Sequence, residues 1–126
     1  ERQIFCSMME KSGDLSMVPE RLIDAGSAVA GCGPAFVCLF LEAMADGGVL
    51  CGLTRAQATE YAVQTLLGTA ELLRENGTHP GAVKDAVCSP GGSTIAGVYA
   101  LETGAFRADV MNAVRAAFEK TRQLGK

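Results

Sequence analysis

Three hydroxyl side chains and two adjacent glycines share one short stretch of this chain, Ser89-Pro90-Gly91-Gly92-Ser93-Thr94. Glycine reaches backbone angles closed to other residues and leaves room for a ligand to touch the main chain. Apolar residues resume at Ile95 and Ala96, so a helix is expected to begin at Ser93 or Thr94. The first N–H groups of a helix lack intrahelical partners, and the helix dipole adds positive potential at that end. Together with the hydroxyls of Ser89, Ser93 and Thr94, these donors suit a carboxylate or a phosphate. A Walker loop requires Gly-Lys-Ser/Thr, whereas Gly92 is followed directly by Ser93, so a small carboxylate fits better than a triphosphate. The same residues also suit a plain interhelical turn in which Ser or Thr caps the next helix.

Other reactive residue types are sparse. Gly31-Cys32-Gly33 fails as a dinucleotide fingerprint, because Phe36 stands where a third glycine is needed and no strong strand precedes it. The five cysteines, Cys6, Cys32, Cys38, Cys51 and Cys88, form no Cys-x-x-Cys pair. They read as buried, reduced thiols, with neither a disulfide framework nor a metal site. His79 is the only histidine and is expected in the turn before Pro80, so no Ser-His-Asp or Cys-His set can be assembled. Asp46 interrupts an apolar segment and is expected to cap or pair, and Asp85 is a candidate brace for the loop. Glu20 follows a strand-like run and is a weaker candidate for a cleft.

The elements that must position the loop are helical. Residues 1–12 read as a short helix with Ile4, Phe5, Met8 and Met9 on one side, and Leu15 to Val18 as a short strand stopped by Pro19. Asp24 to Cys32, rich in Gly, Ala and Ser, reads as a connector. Pro34 suits the start of a helix running to about Gly48, apolar on nearly every side, which calls for cover from a partner subunit. Thr54 and Gln57 form a capping box that opens a helix over 55–75, stopped by Asn76-Gly77. Its expected buried face is Ala58, Ala62, Leu66, Leu67, Ala70 and Leu73. A helix of about two turns starts at Pro80 and ends near Cys88, another covers 94–102, and a last one covers 106–124. The last carries the stripe Val110, Ala113, Val114, Ala117 and Phe118, with Lys120 and Arg122 near its C-terminal end.

The totals exclude some classes of function. The 126 residues fit one ordinary domain, and 48% hydrophobic content argues against disorder. A net charge of -3 with no basic run gives nucleic-acid binding no support. The longest apolar run, Ala35 to Leu41, falls short of the ~20 residues a membrane span needs, so no membrane association is expected. Glu1 is not a natural start and the first segment is not a signal peptide, so the chain is expected to be part of something longer, and its reduced thiols suit a cytoplasmic protein.

Three blocks carry a family resemblance: AGCGPAFVCLFLEAMADGGVLCGL, HPGAVKDAVCSPGGSTIAGV and LETGAFRADVMNAV. In this order they resemble the C-terminal half of the pyrroline-5-carboxylate reductases. The resemblance implies a mainly all-α fold, a helical dimerisation domain of the 6-phosphogluconate-dehydrogenase-like type, interleaved in a homodimer of the kind that many family members assemble further into a ring of dimers. It implies that residues 1–19 are the last helix and strand of a Rossmann domain, and that 20–126 form the dimerisation and substrate-binding domain. The implied activity is NADPH- or NADH-dependent reduction of 1-pyrroline-5-carboxylate to L-proline, the last step of proline biosynthesis. The cofactor would be held mainly by an upstream domain and not by residues of this chain, which alone would be inactive. By the same resemblance, Ser89, Gly91, Gly92, Ser93 and Thr94 receive the substrate carboxylate, the Thr94 hydroxyl reaches the ring nitrogen as the catalytic group, and Glu20 lies near the substrate between domains. Family members usually carry Ser where Cys32 stands and often Thr or Ala where Ser93 stands. The alternative is a standalone helical dimerisation module without catalysis.

Overall fold

The computed structural model describes residues 2–125, with the side chains of residues 2 and 10 set aside. The order of elements is α1 (Arg2–Met9), α2 (Ile23–Ala30), α3 (Gly33–Leu50), α4 (Arg55–Asn76), α5 (Pro80–Ala86), α6 (Ser93–Thr103) and α7 (Phe106–Leu124). Short 3-10 turns cover Glu10–Ser12 and Glu20–Leu22. No strand occurs among the described residues, so the fold is all-α. The strand expected at Leu15 to Val18 is absent. A strand is defined by its pairing, and among the described residues no second strand pairs with this one.

Helix ends follow local chemistry. At the start of α4 the Gln57 N–H donates to Thr54 Oγ1 at 3.3 Å, and the Thr54 N–H donates to Gln57 Oε1 at 3.3 Å, which closes the expected capping box. At the other end Gly77 takes φ 59° and its N–H reaches the Leu73 carbonyl at 3.0 Å.

The expected connector at 24–32 is instead mostly helix α2. Its glycines and alanines read as a loop by composition, but nothing in the backbone leaves the helical region. Gly31 (φ −80°, ψ −41°) and Cys32 (φ −89°, ψ −25°) both stay right-handed, and both N–H groups reach the Ser27 carbonyl, at 2.8 and 3.1 Å. The break between α2 and α3 is therefore shallow. A Cβ at Gly31 would lie 2.9 Å from that carbonyl, so glycine is needed where the two helices join.

Glu20–Leu50 spans 31 residues and contains an 18-residue window with a mean hydropathy of 1.8, long and apolar enough to cross a membrane by length and composition. This corrects the run-length expectation: counting stops at Glu42, whereas a single acid lowers an average over 18 residues only modestly. Only 11% of that window is buried within the chain.

Packing runs through small residues. α3 lies against α4, and α2 against α7, with α6 and α3 also touching α7. The buried residues among those described are Ala28, Ala45, Ala58 and Ala62. At Gly48 a Cβ would stand 3.0 Å from the Ala58 Cβ and 3.3 Å from Leu53 Cδ1, so the α3–α4 pair closes on bare backbone. Phe40 of α3 meets Phe106 of α7 with ring centroids 5.9 Å apart. On the expected α4 face, Ala58 and Ala62 are buried and Leu66 and Leu73 half-buried, while Leu67 and Ala70 are exposed. The α7 stripe is half-buried except for exposed Val110, and Arg122 rests over the Phe118 ring.

Much apolar surface finds no cover. Leu39 is 66% exposed, Leu50 89%, Tyr99 73% and Met111 71%. The cysteines differ from expectation in the same way: all are free, Cys38 and Cys51 are exposed, and Cys6, Cys32 and Cys88 only half-buried. The chain exposes 10125 Å². A compact monomer of this mass would expose about 6,400 Å².

Candidate functional site

The loop is built outward from α5. Pro80, which has no N–H to lose, occupies the first turn, and His79 is the N-cap. The Gly81 N–H donates to His79 Nδ1 at 3.0 Å, and the Ala82 N–H donates to the His79 carbonyl at 2.9 Å. At the far end the Val87 N–H reaches the Val83 carbonyl at 3.3 Å, and the Cys88 N–H reaches the Asp85 carbonyl at 3.1 Å. The chain then reverses in one turn, closed by the Gly92 N–H donating to the Ser89 carbonyl at 3.0 Å. Pro90 and Gly91 are its central residues and Gly91 takes φ 68°, the pattern of a turn that demands glycine at its third position.

Gly92 (φ −76°, ψ 168°) is the N-cap of α6 and offers no side chain to its donors. The Ala96 N–H closes the first helical bond on the Gly92 carbonyl at 3.3 Å. The N–H groups of Ser93, Thr94 and Ile95 are thus the free donors of α6. A Cβ at Gly92 would fall onto the Ser89 hydroxyl and 3.2 Å from the Ser89 carbonyl, so this glycine lets the Ser89 side chain lie over the helix start. Ser89, Gly91, Ser93 and Thr94 are exposed and Gly92 is half-buried.

Glu20 is placed elsewhere. It begins the 3-10 turn that packs on α2, and among the described residues no hydrogen bond or ion pair joins it to the loop. Asp85 does not brace the loop through its carboxylate, which pairs with Lys84; its carbonyl does the bracing. The hydrogen bond that Lys84 Nζ donates to the Asp85 carboxylate raises the Lys84 pKa above its ordinary value, opposed by desolvation. Asp46 pairs with Arg55 at 2.6 Å across the α3–α4 pair, as its position suggested. Glu102 and Arg107 bridge α6 and α7 at 2.5 Å. The sequence reading placed His79 in the turn but missed its role as cap; the signal was a side-chain acceptor one residue before a helix-starting proline.

The arrangement can bind an anion at the α6 N-terminus and offers no nucleophile activated by a base. No group of three or more His, Cys, Asp or Glu among the described residues could hold a metal. A dinucleotide crevice forms at the carboxyl ends of parallel strands, and the described residues contain none, so they do not fit a nicotinamide dinucleotide on their own.

Residues 20–124 match the family model described as pyrroline-5-carboxylate reductase dimerisation. A pyrroline-5-carboxylate reductase of Synechocystis is 55% identical over 114 residues, covering 90% of this chain and 43% of that protein. Pyrroline-5-carboxylate reductase 3 of Bos taurus is 43% identical over 126 residues, covering 100% of this chain and 41% of the relative. The solved structure of Plasmodium falciparum pyrroline carboxylate reductase with NADP bound superposes with a TM-score of 0.91 at 36% identity, covering 99% of this chain and 49% of that one. The pyrroline-5-carboxylate reductase structure from Coxiella burnetii gives 0.92 at 30% identity, covering 99% and 47%. The chain thus spans less than half the length of these relatives. From residue 20 to residue 124, this chain belongs to the pyrroline-5-carboxylate reductase dimerisation family.

Proposed function

We propose that this chain is the dimerisation and substrate-binding half of a pyrroline-5-carboxylate reductase, which reduces 1-pyrroline-5-carboxylate to L-proline with a hydride from NADPH or NADH. The observation that carries the reading is the uncapped N-terminus of α6, presented by a turn that lays the Ser89 hydroxyl beside its N-cap. The N–H groups of Ser93 and Thr94, with Ser89, hold the substrate carboxylate. Gly91 and Gly92 keep the approach clear. The Thr94 hydroxyl stands at the helix start, where it reaches the ring nitrogen of a substrate held by its carboxylate. The nicotinamide supplies the hydride and is held by residues outside those described.

The partner is a second copy of this chain. The chain exposes 10125 Å², roughly 3,700 Å² more than a compact monomer of this mass. That excess is on the scale of obligate interfaces, which bury about 2,000–5,000 Å² or more. In this reading the apolar stretch Glu20–Leu50 is interface and not a membrane span. Glu20, which no hydrogen bond or ion pair joins to the loop among the described residues, approaches a substrate through the assembled domains or the partner. Residues 1–19 close a preceding Rossmann domain, the site is cytoplasmic, and dimers join into a ring.

Two measurements on the chain test this. Light scattering at micromolar concentration is expected to give a dimer or larger, and a folded monomer would refute the interleaved assembly. Titration with L-proline, followed by amide NMR shifts, is expected to move Ser93, Thr94 and Ile95 first. An oligomer with no shift at α6 would instead favour a dimerisation module without a substrate role.

A further inference from the structure

We infer that Arg107, bonded to Glu102 across the corner between α6 and α7, is a positioning residue: it aims the free donors at the far end of α6. The inference rests on the substrate reading given above for those donors.

The corner consists of Gly104 and Ala105 alone. Ala105 takes φ 60° and ψ 25°, and it is the one non-glycine residue at positive φ among those described. An L-residue is disfavoured there. Gly104, which could adopt that conformation freely, stays at φ −79°. The bend is therefore imposed by its surroundings and not by the choice of residue. Four contacts impose it. The Gly104 N–H donates to the Ala100 carbonyl at 3.1 Å, and the Ala105 N–H to the Glu102 carbonyl at 3.1 Å. The Phe106 ring meets Phe40 of α3, with centroids 5.9 Å apart. Arg107 Nε donates to Glu102 Oε1 at 2.5 Å. Of the four, this last alone joins a side chain of α6 to a side chain of α7.

The pair is poorly placed to stabilise either helix. Glu102 is the last residue but one of α6, and Arg107 is the second residue of α7. The macrodipole favours a cation at the first position and an anion at the second, so both charges are reversed. The two side chains are 45% and 66% exposed, and ion pairs so open to water contribute little to stability. What the pair does fix is direction. α6 packs chiefly on α7, so the corner carries it. At about 1.5 Å per residue, Ser93 lies about 15 Å from the corner. A change of about 10° at the corner moves the donors there by about 2–3 Å. An N–H···O bond spans roughly 2.7–3.2 Å, so a carboxylate held by the rest of its pocket loses them.

The test compares this chain with Arg107→Gln, with Glu102→Gln, and with the exchanged pair Glu102→Arg plus Arg107→Glu. Residual dipolar couplings of the α6 and α7 amides read the angle between the helices. Titration with L-proline reads affinity, and thermal unfolding reads stability. Each single substitution should alter or broaden the angle and weaken L-proline binding roughly tenfold, the scale of one charge-assisted hydrogen bond. The melting temperature should hold or rise, because each single variant removes a charge that the dipole opposes. The exchanged pair should restore both angle and affinity. An unaltered angle in both single variants overturns the inference. So does a melting temperature that falls in step with affinity, or an exchanged pair that restores neither property. If α6 turns while L-proline binds as before, Arg107 still positions α6, and the assignment of its donors to the carboxylate is what fails. The couplings decide the positioning even if the unmodified chain binds no L-proline.

Discussion

The α3–α4 pair and the α5–loop–α6 segment are held by different means. α3 and α4 close on Ala45, Gly48, Ala58 and Ala62, with backbone nearly touching backbone, and a two-way capping box fixes where α4 starts. The segment from His79 to Thr94 has no residue that is fully buried; it is shaped by a ring nitrogen, a proline, a left-handed glycine and a handful of main-chain bonds. The frame is made by packing, and the α5–α6 loop by conformational constraint. Damage to the first should appear as lost stability, and damage to the second as lost binding or turnover with the fold intact.

Four substitutions sharpen that contrast. Thr94→Ala in the full-length protein should lower turnover by ~10²-fold, the scale for one positioned polar group at a reacting centre. Its melting temperature should not change, and steady-state kinetics at an unaltered rate would remove Thr94 from the chemistry. Gly48→Val drives methyl groups into Ala58 and Leu53 and should cost about 2 kcal/mol in denaturant unfolding, as overpacking does. An unaltered midpoint would mean that α3 and α4 separate freely. Gly91→Ala forces an L-residue to φ 68° and should cost about 1 kcal/mol, with Gly91→Asn milder. That cost should show mainly as weaker L-proline binding measured by calorimetry. Thr54→Ala removes half the capping box and should cost about 1 kcal/mol, read by thermal unfolding with binding preserved. If Gly91→Ala lowered stability and left binding alone, the division between frame and loop would be mistaken.

The sequence made local chemistry legible and left pairing hidden. Both ends of α4 followed from Thr54, Gln57 and Asn76-Gly77, because each makes its bonds within four residues. α7 was bounded correctly at Phe106–Leu124, and the open start of α6 was visible in Gly92-Ser93. Leu15 to Val18 looked like a strand, but a strand needs a partner that no local pattern supplies. Asp24 to Cys32 looked like a loop because small residues resemble flexibility, when here they form α2, which lies against α7 and buries Ala28. Glu20 begins a turn against α2, a placement set by packing that its residue type does not announce. The thiols were expected inside, and their exposure follows from the same shortage of cover that leaves Leu39 and Leu50 bare.

The interior of four alanines has a further consequence. Alanine burial supplies little free energy, about 0.8 kcal/mol per buried methylene-sized group, against an ordering cost of about 1–2 kcal/mol per residue. A protomer with so little inside it depends on association for its fold, so its melting point is a function of how much protein is in the tube. Dilution should act on it as a denaturant does. A mixed population carrying one weakened variant should be weakened throughout, because each copy borrows its stability from the next.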